Sequence, residues 1–454
     1  MQTTTSAIDY LHDLRYEDLP QAVRERAIDV LFDTIGCMLG GAQTDLGKAY
    51  ARVTARIAGD GYSTAFGIAR KIDPVSAAFV NAAHADALDY EDTLLGHPSA
   101  TVIPAALAIG EMLGVSGEDV ITAIAGAYDV AVRIGAAITP TPERARDIAV
   151  RFAWFGFAAA APAAKLLNLS VAQTQDAFGY AGASSPLPVW ITKWPRPLHW
   201  IKNNLAEQAR AGVLGALAAR DGLGGPRDIL ENELGFWRMV GSDRFNADAL
   251  HEGLGSRFTI LETHFKPYPA CRWLHTIIEA TLRLREQHNV KPEDITAIRV
   301  GAPDETANWF IDPAPATLVD AEFSIPYVVA VALHGVRPGP RWYAEDTLRN
   351  PSILALAKKV SVHQASVVDH GAGSGGSLPC EVVLVLRDGR ELEIKHADPF
   401  GSPERPLPEG LLREKFIALA TPSLGAPVAA QLWDERSQFV KIANVRDWTA
   451  LLGA

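Results

Sequence analysis

The sequence predicts a mainly α protein in which an all-helical first part leads into an α+β module and then returns to helix. Three observations predict it. Up to about residue 255, apolar residues recur every three or four positions and nothing alternates with period two for long. After Thr263, short runs of β-branched and alternating residues appear, two of them separated by Asp388-Gly389. Beyond Pro403, Pro406 and Pro408 the helical spacing resumes at residues 411–419 and 429–433. The expected divisions are 1–262, 263–402 and 403–454, with the last segment packing back on the first.

Each element has a local reason. Asp18-Leu19-Pro20 supplies a cap and an early proline, and Val23, Ala27, Val30, Leu31, Thr34 and Met38 then mark one helix face until Gly40-Gly41, where the helix is expected to end. His97-Pro98-Ser99 reads as the entry to a helix carrying Ile103, Leu107 and Met112, and its free N–H groups offer a place for an anion. Ser116 with Asp119 three residues on is a capping box for a helix through Val120, Ile124 and Tyr128. Alanine-rich helices follow at residues 158–167 and 205–223, the second stopped by Gly222 to Pro226. In the α+β module, residues 295–300 form one strand. Val382, Leu384 and Leu386 alternate before the Asp388-Gly389 turn, as do Leu392 and Ile394 after it. Residues 274–282 and 323–333 supply helices between the strands.

A chain of 454 residues that is 48% hydrophobic can bury a large core. Its formal net charge of −11 argues against nucleic-acid binding, so affinity for an anion must come from a few local cations. Cys37, Cys271 and Cys380 are too scattered for a disulfide framework or a zinc motif. The first residues show no basic segment followed by an apolar core, and the longest apolar run, 152–164, falls short of the ~18 residues of a membrane span. A cytoplasmic protein without membrane contact is expected.

The polar residues concentrate in residues 84–97, where His84, Asp86, Asp89, Glu91, Asp92, Thr93 and His97 precede an apolar helix. Carboxylates and imidazoles beside a hydrophobic wall suit proton transfer, because burial shifts their pKa values. They are also metal-ligand types, but their spacing matches no specific metal motif, so no metal is expected. Further polar groups stand in apolar surroundings: Lys202 before the second alanine-rich helix, Lys266, Arg272 and His275 around the rigid Pro267 and Pro269, and Ser324 with Tyr327 at a helix start. The glycine-rich residues 370–377 read as a loop. Each group has a plain alternative: Asp89 and Asp92 as caps, the lysines as surface charges, Cys271 as a small hydrophobe, and Tyr327 as core with its hydroxyl on a backbone group.

Taken in order, LDYEDT, GHPSATVIPAALAIGE, WIKNNLAEQARAGVLGALAARDGLGGP, KPYPACRWLHTIIEA and AEFSIPYVVAVAL resemble the MmgE/PrpD family across nearly the whole chain. The resemblance implies a large helical domain completed by C-terminal helices, an inserted α+β lid domain, a homodimer and no organic cofactor. It implies a lyase of small carboxylic acids. The expected activity is a hydro-lyase acting on a small di- or tricarboxylate such as a 2-methylcitrate-like acid, with cis-aconitate-type decarboxylation or epimerisation as the alternative, and a helical binding protein as a rival from another class. By motif, the pocket falls on Asp89, Thr93, His97, Lys202, Lys266 and Tyr327. His275 matches the family's C-R-W-x-H form, while Cys271 stands where the decarboxylase has a histidine. Asp89, His97, Lys202, His275 and Tyr327 are the expected catalytic groups, and Thr93, Lys266, Cys271 and Arg272 the substrate-binding ones. At residues 144–155 many members carry Gly-Phe-His; here Arg151 is the expected replacement. The lysines, with a protonated His97 or His275, are expected to make the pocket electropositive for a small anionic carboxylate.

Overall fold

The computed structural model describes residues 3–145, 147–148, 152–185, 196–200, 202–365 and 378–452. It is mainly α, with one four-stranded sheet. The long helix Gln21–Ala42 runs through the interior and is buried on every side after Val30. It ends at Ala42, one residue past Gly40-Gly41. Those glycines also let another helix lie against this one: a Cβ on Gly41 would sit 1.9 Å from the carbonyl oxygen of His84. The glycine pair is both a helix end and a contact surface.

Pro74–Asp86, Ser99–Leu113 and Gly117–Ala137 pack on this helix, and Phe155–Leu166 and Leu205–Arg220 pack on them in turn. Gly117–Ala137 carries the Ser116–Asp119 capping box. By length and apolarity alone this helix matches a membrane span, which the apolar-run argument overlooked, but it is enclosed by the core. Leu205–Arg220 ends before Gly222, whose φ of +92° suits a residue without Cβ. The C-terminal helices Leu411–Leu424 and Ala426–Asp434 return to the first helices, where the Phe32 ring meets Phe416, Trp433, Phe439 and Trp448 with centroids 5.6–6.3 Å apart.

In the α+β region the strands lie in the order Val360–Gln364, Ile295–Ala302, Cys380–Leu386, Glu391–His396. The first pair is parallel and the others antiparallel, with Val300 opposite both Val362 and Val382. Gly389 turns the last hairpin at φ +87°. Two strands escape the sequence reading. Val360–Gln364 alternates Val360, Ser361, Val362 and His363 but is only five residues long, and Asp60–Ser63 is shorter still.

One hydrophobic core gathers the first helices and the C-terminal ones, and a second gathers the sheet with helices His275–His288 and Ile325–Leu333. Leu88 and Tyr90 belong to the second core, whereas Ala85 and Leu94 belong to the first. The polar segment therefore lies along the seam between two dry interiors.

Candidate functional site

At this seam Asp89 is the hub. Its φ of +45° is unusual for a residue with a side chain, though Asp tolerates it better than most. The turn brings both its carbonyl and its carboxylate to face two lysines. Lys266 Nζ donates to the Asp89 carbonyl at 3.0 Å and to Asp89 Oδ1. Lys202 Nζ donates to the carbonyl and Oδ1 of Asp86, each at 2.6 Å, and lies 3.4 Å from Asp89 Oδ1. Both lysines are buried. Lys202 reaches this depth because Asn203 and Asn204 take positive φ, folding the chain inward just before helix Leu205–Arg220 begins.

His97 completes the group, with Nδ1 2.6 Å from Glu91 Oε1 and 3.8 Å from Asp89 Oδ1. The shorter approach is a close polar contact rather than a well-aligned hydrogen bond, since among the described residues neither Glu91 oxygen nor His97 Nδ1 has a hydrogen-bond partner. The His97 ring also stacks on Phe152 at 6.0 Å.

The charges can be assigned by counting. Asp86, Asp89, Glu91 and Glu322 all act on one another and on Lys202. Two ammonium groups can sustain about two carboxylates in so dry a place. Burial opposes ionisation of Asp89 and Glu91, but the lysines outweigh it and hold both below the usual carboxylate range. For Asp86 and Glu322 burial wins and raises the pKa well above that range. Burial works against the charged form of both lysines too, yet the facing carboxylates push both upward.

Two expectations need correction. His97 and His275 are not cations at neutral pH: burial lowers both, helped for His97 by Lys266 and for His275 by Arg272 and Lys266. Nor is the site simply electropositive, because each lysine is already bonded to an acidic side chain and faces ionised Asp89 and Glu91. The anion expected at the start of helix Ser99–Leu113 is supplied by the chain itself, as Asp92 accepts the Ser99 amide at 3.2 Å and the Tyr128 hydroxyl at 2.6 Å. Burial raises Asp92 to about 6.

The structure thus brings together Asp89, His97, Lys202 and Lys266. Thr93 lies alongside, its backbone bridged to His264 in both directions, just before Lys266. Cys271 is half-buried, and burial pushes its thiol up to about 12. Arg272 is spent on backbone, donating to the Phe400 carbonyl at 2.7 Å. His275 Nε2 lies 3.0 Å from the Ala270 carbonyl, which makes Nε2 the protonated nitrogen. Tyr327 gives its hydroxyl to the Trp342 carbonyl and so sits as a core tyrosine. Arg151 and residues 370–377 lie outside the described residues.

Asp86, Glu91 and Glu322 were not among the expected site residues. The first two were visible in the polar stretch, but only the fold shows that Asp86 meets Lys202, 116 positions away. Asp86, Glu91 and His97 offer ligand atoms within 4.8 Å of one another. Lys202 already occupies Asp86 Oδ1, and both lysines act on Glu91, so a divalent cation there would face two ammonium groups. That donor set fits an internal ion network better than a metal centre.

Comparison with known proteins adds to this geometry. Residues 6–247 match the MmgE/PrpD N-terminal domain, and residues 268–436 match the MmgE/PrpD C-terminal domain. The chain belongs to the MmgE/PrpD family. Among its relatives, cis-aconitate decarboxylase of Aspergillus terreus is 26% identical over 442 residues, covering 92% of this chain and 89% of the relative. The Homo sapiens cis-aconitate decarboxylase is 26% identical over 469 residues, 98% of this chain and 92% of its own length. That of Mus musculus is also 26% identical, over 446 residues, 93% and 87% respectively. These MmgE/PrpD relatives carry the name of the decarboxylase rather than of a hydro-lyase.

Proposed function

We propose that the protein is a lyase that needs no organic cofactor and releases carbon dioxide from a small unsaturated tricarboxylate of the cis-aconitate kind. The observation that carries this reading is the buried Lys202–Asp86 and Lys266–Asp89 network beside a neutral His97. Decarboxylase relatives matched over most of their length support the same choice over dehydration.

The chemistry has three demands. A carboxylate must shed its charge as neutral carbon dioxide, and exclusion of water favours that loss. The electron pair left behind moves into a new double bond, and a proton must reach the carbon at the far end of the old one. The lysine ammonium groups hold protons at neutral pH, and the attachment of Lys266 to Asp89 and of Lys202 to Asp86 keeps them in place for delivery. Neutral His97, with Glu91 oriented against Nδ1, keeps its other ring nitrogen as a proton acceptor. Lysine N–H groups stabilise the carboxylates that remain.

Dehydration of a related hydroxy acid is the second reading. Cys271 favours it, because a protonated thiol stands where the resemblance places the decarboxylase's histidine. The test is incubation with cis-aconitate, citrate and methylcitrate, followed by proton NMR. A product one carbon shorter with carbon dioxide release is expected. Interconversion by water alone would transfer the assignment to the second reading, and silence with all three acids would sink both.

A further inference from the structure

The lysine–carboxylate network leaves one acid unexplained. Glu322 closes the short helix Leu318–Glu322 in the α+β region, and only 1% of its surface is exposed. Two ties fix that helix where the lysine-bearing segments meet. Asp320 accepts Arg196 Nη1 at 2.9 Å and the Leu198 amide at 3.2 Å, a few residues before Lys202. The Glu322 carbonyl accepts the Cys271 amide at 3.2 Å, five residues after Lys266. Among the described residues, its buried side-chain Oε1 has no hydrogen-bond partner.

We propose that Glu322 is a specificity-determining residue, whose carboxyl group faces the network from the α+β side and donates a hydrogen bond to one carboxylate of the bound acid. A buried polar atom without a partner is costly, so an incoming group that satisfies it is favoured. The lysines cannot serve as the sole anion receptors, since Asp86 and Asp89 already occupy them. Burial, opposed by Lys202, raises Glu322 well above the usual carboxylate range and so favours its neutral form, and the other groups acting on it, Asp89, Asp86 and Glu91, act in the same direction. Tyr343, whose hydroxyl binds the Pro269 carbonyl, is a further neighbour that stays neutral. A neutral acid meeting a carboxylate makes a short, charge-assisted bond, whereas an ester or amide in the same place gains less. The substrate class is therefore a polycarboxylate with one carboxylate held by a neutral donor.

This inference rests on the proposed carboxylate chemistry, but its test does not require turnover. Calorimetric binding of tricarballylate, a saturated tricarboxylate with no double bond to react, is the readout. Glu322→Gln, close in shape, keeps a weaker donor, and affinity drops by about threefold. Glu322→Ala binds at least about tenfold more weakly. No tricarballylate binding by the wild type, or unchanged affinity in Glu322→Gln, overturns the proposal even if Glu322→Ala does not fold. Tricarballylate binding that follows this pattern, with no carbon dioxide released from cis-aconitate, would sink the decarboxylase reading and leave Glu322 its role.

Discussion

The two ends of helix Ser99–Leu113 present buried carboxylates in opposite states. Near its C-terminal end, Glu111 is saturated: the Thr64 amide at 3.0 and 3.1 Å, the Thr64 hydroxyl at 2.6 Å, Lys71 Nζ at 3.0 Å and the Thr449 hydroxyl at 2.9 Å all donate to it. Just ahead of its N-terminal end, Glu91 has no aligned hydrogen bond among the described residues beyond its close contact with His97, Asp86 has one oxygen unpartnered there, and four acids compete for two lysines. Saturation marks a clip that holds three distant segments together. Incompleteness marks a place where part of the bonding capacity is kept for something else.

Substitution at the incomplete end should give the largest effect. Lys266→Met or Lys202→Met should lower turnover by roughly 10²–10⁴ while circular dichroism still shows a helical fold. Near-normal rates in either variant would erase the contrast between the two ends. His97→Asn should fall in the same range, with the loss in kcat rather than KM.

The saturated end should behave in reverse. Glu111→Ala should cost about 3 kcal/mol in denaturant unfolding, because several donors lose their acceptor together, while kcat per folded molecule stays at the wild-type value. A selective loss of kcat would show that Glu111 is more than a clip.

A further effect of similar or slightly smaller size concerns pH. His84, beside the Gly41 contact, has Nε2 3.0 Å from the Gly47 carbonyl, and burial lowers its pKa to about 4. Its unfolded form takes up a proton first, so its share of stability is lost as pH falls from about 6.5 to about 4 and changes no further below that. The share lost is roughly 3 kcal/mol at most. Acids held protonated in the fold, such as Asp92, act with the opposite sign, so the quantity to measure is the difference in unfolding between wild type and His84→Gln. A pH-independent difference would contradict a neutral buried imidazole.

The smallest expected effect is at Cys271. With its thiol pushed to about 12, alkylation by iodoacetamide at pH 7.5 should run about a thousandfold slower than for a free thiol, as followed by mass spectrometry. Rapid labelling would mean that the seam opens to solvent.

Much of this was legible in the residues, for identifiable reasons. The Ser116–Asp119 box, the Asp388-Gly389 turn and the alanine-rich helices are set by neighbours in the chain, so local pattern suffices. Asp89, His97, Lys202 and Lys266 stood out as polar groups in apolar context and do meet. What could not be read is pairing at long range. Nothing near Lys202 announces Asp86, and nothing in AEFSIPY sets Glu322 apart from a surface acid. His275 and Tyr327 show the converse, since their motifs drew attention while their polar atoms serve nearby carbonyls. Gly40-Gly41 marks the helix end, at Ala42, but its second part as a close contact to His84 could not be read, because a stop signal and a close-packing signal share the same letters.

Lys415 carries a consequence of another kind. From helix Leu411–Leu424 its ammonium group lies 2.7 Å from Asp33 and donates to the Tyr90 carbonyl at 2.5 Å, directly behind Asp89. The backbone that presents the hub is thus buttressed by a residue synthesised more than three hundred positions later. While the chain emerges from the ribosome, the early helices can gather, but the turn at Asp89 lacks this brace until one of the last helices arrives.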